Sequence, residues 1–210
     1  DPDWTTSARE ITDIAITGPA TAPRYGPIGV GFGTVDVTVQ TVSYVRRRIS
    51  TNELLDETPL DLPPRQLRTK AVWYTVAQDA LHAVGLFPPD VPGAAHAAEH
   101  AAIGLLPLFA TCDRWDIGGV STDLHPDTGM PTVFVYDGAA GGAGFAERGH
   151  AALPGWLAAT RDAIRACGCT AGCPSCVQSP KCGNGNDPLD KAGAVRLLDL
   201  VLDHVGRSVD

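Results

Sequence analysis

The chain has 210 residues, 44% of them hydrophobic and 19% charged, a balance that can fill a globular core and excludes a disordered or low-complexity chain. Twenty-four acidic residues against sixteen basic ones leave a net charge of −8, which excludes strong nucleic-acid binding by overall charge, because such binding draws mainly on phosphate neutralisation. No run of eighteen apolar residues is present and the opening Asp1-Pro2-Asp3-Trp4 is not a secretory signal, so the expectation is a cytoplasmic protein with no membrane segment.

In chain order, residues 1–64 read as a strand-rich part. The first two dozen residues mix polar residues and prolines around one short apolar run, Ile11 to Ile16, which predicts an edge strand or an ordered tail. From Ile28 to Ile49 the pattern is β. Val35, Val37 and Val39 alternate with Asp36, Thr38 and Gln40, and Val42, Tyr44 and Val45 follow, as one long bent strand or a strand pair. Arg46, Arg47 and Arg48 close this stretch, either as a solvated edge guarded against pairing or as contacts to phosphates. Thr58-Pro-Leu-Asp-Leu-Pro-Pro64 is a rigid connector that no helix crosses, and it divides the strand-rich part from a mixed part, residues 65–166.

Within the mixed part, Val72, Trp73, Val76, Ala80 and Val84 recur at helical spacing and predict a helix over Thr69 to Val84, stopped by Gly85 and Pro88-Pro89. A second helix is expected from Ala94 to Phe109, then a loop from Cys112 to Gly119 in which Cys112 reads as a small buried hydrophobe. Thr132 to Tyr136 is a fully buried strand; it leads through Asp137 into the glycine loop Gly138 to Gly144, a helix from about Phe145 and another from Trp156 to Arg165. Residues 167–191 form a cysteine loop, and 192–210 a terminal segment whose amphipathic helix starts near Asp190 with Ala194, Leu197, Leu198 and Val201 on one side. The fold class expected is mixed α/β in a single domain, strand-rich first and helical later, with a four-cysteine metal loop between the last two helices. Met130 is the only methionine, and the expectation drawn from it is a piece of a longer protein.

Five of the six cysteines fall between Cys167 and Cys182, where random placement puts roughly half of one. The C-x3-C-x2-C-x5-C spacing of Cys169, Cys173, Cys176 and Cys182 suits four thiolates converging on one tetrahedral zinc, with Pro174 fixing the turn between the middle pair. Cys167 is the alternate first ligand, in place of Cys169. Disulfides compete with this reading, but they ask for an oxidising compartment and an even count. A zinc filled by four sulfurs has no position left for water, so one structural zinc per chain and no catalytic residue are expected.

Two further motifs invite chemistry. His96-Ala-Ala-Glu99-His100 matches the H-x-x-E-H arrangement of inverted zinc peptidases, two imidazoles one turn apart with a glutamate base, and it supports an alternative reading as a zinc-dependent hydrolase in which the third ligand is not evident. Strand, glycine loop and helix across Tyr136 to Arg148 resemble a phosphate cradle, yet Glu147 stands where a dinucleotide fingerprint needs glycine, and close backbone packing is the favoured use.

The stretch Gly172 to Lys191, GCPSCVQSPKCGNGNDPLDK, resembles the C-terminal zinc-binding domain of superfamily-two DNA helicases of the SftH and MrfA branch. Supporting stretches are Leu60-Asp-Leu-Pro63 with Thr69 to Trp73, Cys112 to Gly119, and Tyr136-Asp137 with Gly141 to Arg148, so the likeness covers nearly all of the chain from about Val35. It implies an accessory domain beside two ATP-driven motor domains that move 3′ to 5′, helping to enclose single-stranded DNA in DNA repair, with ligands at Cys169, Cys173, Cys176 and Cys182. The motor's ATP-binding and hydrolysis motifs are missing from this sequence, so the fragment is expected to be non-catalytic and ATP hydrolysis to belong to the parent. Arg46, Arg47, Arg48 and Lys181 are the candidate DNA contacts.

Overall fold

A computed structural model describes residues 3–18 and 22–206, so the last four residues of the terminal segment lie outside it. Seven strands form one antiparallel sheet among the described residues: β1 (Trp4–Ile16), β2 (Arg24–Tyr25), β3 (Ile28–Arg48), β4 (Leu54–Pro59), β5 (Arg65–Val76), β6 (Ile117–Thr122) and β7 (Thr132–Asp137). The strand order is β1-β3-β5-β7-β6, with β2 and β4 also pairing on β3.

β3 is the spine, a single strand of 21 residues that at about 3.3 Å per residue reaches roughly 70 Å. Its first half pairs with β5 as far as Val39 opposite Arg65. Beyond that point it continues between β1 and β4 as a three-stranded arm, where Trp4 lies opposite Arg48 and Asp56 opposite Arg46. The apolar run Ile11 to Ile16 is thus the edge strand expected of it.

Alternation along the strands builds two cores. On one face Ile28, Val30, Val72, Tyr74, Val76, Val133 and Val135 meet the helices. On the other Val35, Val37, Ala71, Trp73 and Phe134 pack together, with the Trp73 and Phe134 rings 5.5 Å apart on opposed positions. The helix expected over Thr69 to Val84 is corrected here: β5 runs to Val76, and only α1 (Gln78–Ala83) is helical. Because β5 is buried on both faces from Ala71 to Val76, its apolar residues are continuous, and a continuous run mimics helical spacing. The proline-rich connector accordingly joins β4 to β5, two strands, and does not mark the end of the sheet.

The helical layer holds α2 (Val91–Leu105), α3 (Phe145–Ala151), α4 (Leu153–Ala166) and α5 (Lys191–Val205), each close to its expected place. α2 buries eleven of its fifteen residues, mostly alanines, and its small side chains let backbones approach. A Cβ on Gly93 would lie 3.2 Å from the Asp190 nitrogen. Trp156 of α4 is buried against α2 and donates its indole N–H to the Ala102 carbonyl at 2.9 Å. Asp190 caps α5 by accepting from Gly193 N at 2.8 Å. At the far side His125 donates to the Ile14 carbonyl at 2.9 Å and Asp127 accepts from Ile16 N at 2.7 Å, which draws the segment after β6 onto β1. The cysteine loop, α2, β1 and β6 therefore border one another.

Candidate metal centre

Helix α4 ends at Ala166, and Cys167 opens the loop in an extended conformation. The sulfurs that converge are those of Cys167, Cys169, Cys173 and Cys176, all within 4.8 Å of one another. Neighbouring Sγ atoms stand 3.6 Å apart for Cys167 and Cys169, 3.5 Å for Cys167 and Cys173, 3.5 Å for Cys169 and Cys176, and 3.8 Å for Cys173 and Cys176. A tetrahedron of sulfurs at the zinc–thiolate distance of about 2.3 Å has edges of about 3.8 Å, so the donor set fits zinc without rearrangement.

Local chain geometry explains the set. Cys173 to Val177 forms a tight turn in which the Cys173 carbonyl accepts from the Cys176, Val177 and Gln178 amides. Gly172 precedes it at φ +115°, a conformation open to glycine. Cys167 joins from the extended residue that follows α4, with its sulfur 3.6 Å from that of Cys169, two residues on. Cys182, expected as the fourth ligand, is carried off instead by the turn Ser179 to Asn186 and lies against His96.

The four thiols do not ionise evenly by themselves. Burial pushes Cys176 up to about 12, whereas Cys169, against its own desolvation, is drawn down to about 6 by hydrogen bonds from Cys176, Cys167 and Cys173. A divalent cation removes that conflict by favouring the thiolate form of every sulfur it binds. Lys191 braces the knot from outside: its ammonium donates to the Cys167 and Cys169 carbonyls at 2.6 Å each and to the Cys169 sulfur at 3.4 Å. Sequence reasoning gave Lys191 no role. One signal was there: a lysine at the first position of a helix faces the positive end of the dipole and needs a partner elsewhere.

The H-x-x-E-H residues lie beside the knot, not within it. His96, Glu99 and His100 share a face of α2 and line a cavity of about 480 Å3 with Cys182, Gly119 and Tyr136. Burial raises Glu99 to about 7, countered in part by His96 and by a hydrogen bond with Ser121.

The proposed DNA contacts divide into two places. Arg46 pairs with Asp56 and sits over the Trp4 ring at 5.3 Å, Arg47 donates to the Asn52 carbonyl at 3.1 Å, and Arg48 reaches Asp3 at 2.8 Å and Glu53 at 3.5 Å. All three cluster at the tip of the arm. Lys181 donates inward to the carbonyls of Arg114, Trp115 and Ile117, and burial holds its ammonium below the usual lysine range. The glycine loop's amides are taken by the chain itself: buried Asp137 accepts from Ala143, Gly144 and Ala146 at 2.6 to 2.8 Å. That fills the place a phosphate would occupy, so the loop serves packing. Cys112 is a free thiol, half-buried.

The MrfA Zn-binding domain family matches residues 98–177, a stretch that contains all four knot cysteines and stops short of Cys182. An uncharacterized protein of Methanocaldococcus jannaschii, MJ1572.1, is 38% identical over 112 residues, 51% of this chain and 98% of that protein. The uncharacterized ATP-dependent helicase YprA of Bacillus subtilis is 30% identical over 148 residues, 70% of this chain and 19% of its own length. The DUF1998 helicase MrfA, in a crystal structure with DNA, superposes with a TM-score of 0.61 at 24% identity, over 96% of this chain and 26% of that one; the likeness speaks for the fold. The chain spans about a fifth of YprA and about a quarter of MrfA.

Proposed function

The chain belongs to the MrfA Zn-binding domain family, and on that premise we propose that it is the accessory zinc domain of an ATP-dependent 3′-to-5′ DNA helicase, helping to hold single-stranded DNA beside two motor domains in DNA repair in the cytoplasm. The observation that carries this reading is the closed four-sulfur knot between α4 and α5, with no position for a reacting water. Cys167, Cys169, Cys173 and Cys176 hold the zinc, which fixes the ends of two core helices; catalysis belongs to other parts of a longer chain. The helicase name of YprA and the fold shared with DNA-bound MrfA support the assignment.

With a net charge of −8 the domain contributes to DNA binding locally. The arm tip with Arg46, Arg47 and Arg48 is the surface proposed for backbone phosphates, and Lys181 acts from within by bracing the turn Arg114 to Ile117. The test is single-strand-stimulated ATPase of the parent protein with and without this segment. Deletion brings stimulated activity down to the unstimulated level if the domain holds DNA; unaltered stimulation would make it an interaction module with no DNA contact.

A further inference from the structure

We propose that His96, His100 and Cys182 form a second metal site, separate from the four-sulfur knot, which binds a zinc-like divalent ion with its fourth coordination position open to the adjoining cavity. The three side chains offer donor atoms within 4.8 Å of one another. His96 and His100 are one turn apart on α2, the spacing that lets two imidazoles reach one ion. The imidazole rings stand edge to face with centroids 4.2 Å apart.

Orientation of the rings is the strongest argument. His96 Nδ1 lies 2.8 Å from the Pro188 carbonyl and His100 Nδ1 lies 2.9 Å from the Val177 carbonyl. A carbonyl only accepts, so each Nδ1 carries the proton, and in the neutral ring each Nε2 presents a lone pair. This is the outer-shell arrangement that fixes metal-binding histidines, and here both carbonyls come from the cysteine loop. The His96 Nε2 lies 3.4 Å from the Cys182 sulfur, and the Asn186 amide donates to that sulfur at 3.2 Å. Two imidazole lone pairs and a sulfur thus converge with a single S–H proton to share among them. A cation satisfies all three at once.

Two nitrogens and one sulfur leave a tetrahedral ion one ligand short, the mark of an open site. The vacant direction is the 480 Å3 cavity, into which Glu99 and Ser121 also project, so the fourth ligand is a water or a small oxygen donor. Cys182 supplies the third ligand that the H-x-x-E-H motif lacks in sequence, 82 positions beyond His100.

The test is metal stoichiometry of the full chain after saturation with zinc and desalting, combined with anomalous diffraction at the zinc edge. The wild type is expected to hold about two zinc ions per chain, and His96→Ala and Cys182→Ser about one each, the knot's ion being retained. An anomalous peak between the two Nε2 atoms and the Cys182 sulfur of the wild type needs no variant and guards against misfolded ones. One ion per chain, unchanged in Cys182→Ser and with no peak beside His96 in zinc-soaked crystals, would overturn the proposal. Failure of the knot reads out separately, as a missing peak among Cys167, Cys169, Cys173 and Cys176.

Discussion

Gly31 has no Cβ because the Trp73 indole occupies that space; a methyl there would overlap the ring. Gly31→Ala therefore forces the largest side chain of the second core out of place, and a loss of about 1–3 kcal/mol is expected by denaturant unfolding. His150 of α3 stacks on Phe32 with centroids 5.6 Å apart, and burial lowers its pKa below the ordinary 6.5. Below pH 6.5 the unfolded chain takes up a proton that folded His150 resists, so its contribution to stability is intact above 6.5 and declines as pH falls toward the lowered value. His150→Gln should show a smaller drop in unfolding free energy between about pH 8 and about pH 5.5 than the wild type does. At this scale the sequence made the metal legible but not its full set. Cysteine spacing pointed to Cys169, Cys173 and Cys176 and offered Cys167 only in place of Cys169, whereas the structure brings Cys167 and Cys169 together and leaves Cys182 on a turn at 179–186 that no spacing rule encodes.

Elements were legible where one face is wet. β3 showed its alternation, and α5 its apolar stripe, because solvent imposes a period on half-buried structure. β5 hides its period because both its faces are buried, and its long pairing with β3, from Ile28 opposite Val76 to Val39 opposite Arg65, is a tertiary fact. The join between elements that matters most is Lys191, through which α5 touches the knot that α4 leads into. Lys191→Met removes the donors to two carbonyls and one sulfur. About 10–100-fold weaker zinc affinity is expected from competition with a chromophoric chelator, the usual size of an outer-shell loss. Unchanged affinity would make Lys191 a packing residue only.

Among the described residues, one sheet carries a helical layer on one face, while its longest strand runs out into an arm tipped by three arginines. Each arginine is held by acidic or backbone partners in the isolated chain, and DNA phosphates would compete with Asp56, Asp3 and Glu53 for them. Replacing Arg46, Arg47 and Arg48 together by alanine should weaken single-strand binding by the parent and reduce its salt dependence by up to about two units of slope. An unchanged slope would move the DNA surface elsewhere. The metal's part in the architecture is more fundamental, because zinc capture contributes apparent free energies of roughly 10–16 kcal/mol in small domains and here fastens helices that bury Trp156, Leu157, Leu197 and Leu198.

The most direct measurement is zinc content together with the melting curve of the Cys173→Ser, Cys176→Ser double variant. Loss of the knot's zinc, about one ion per chain, with a melt displaced to lower temperature is the result expected if the four sulfurs hold this domain together. Equal metal content and an unmoved melt would contradict it.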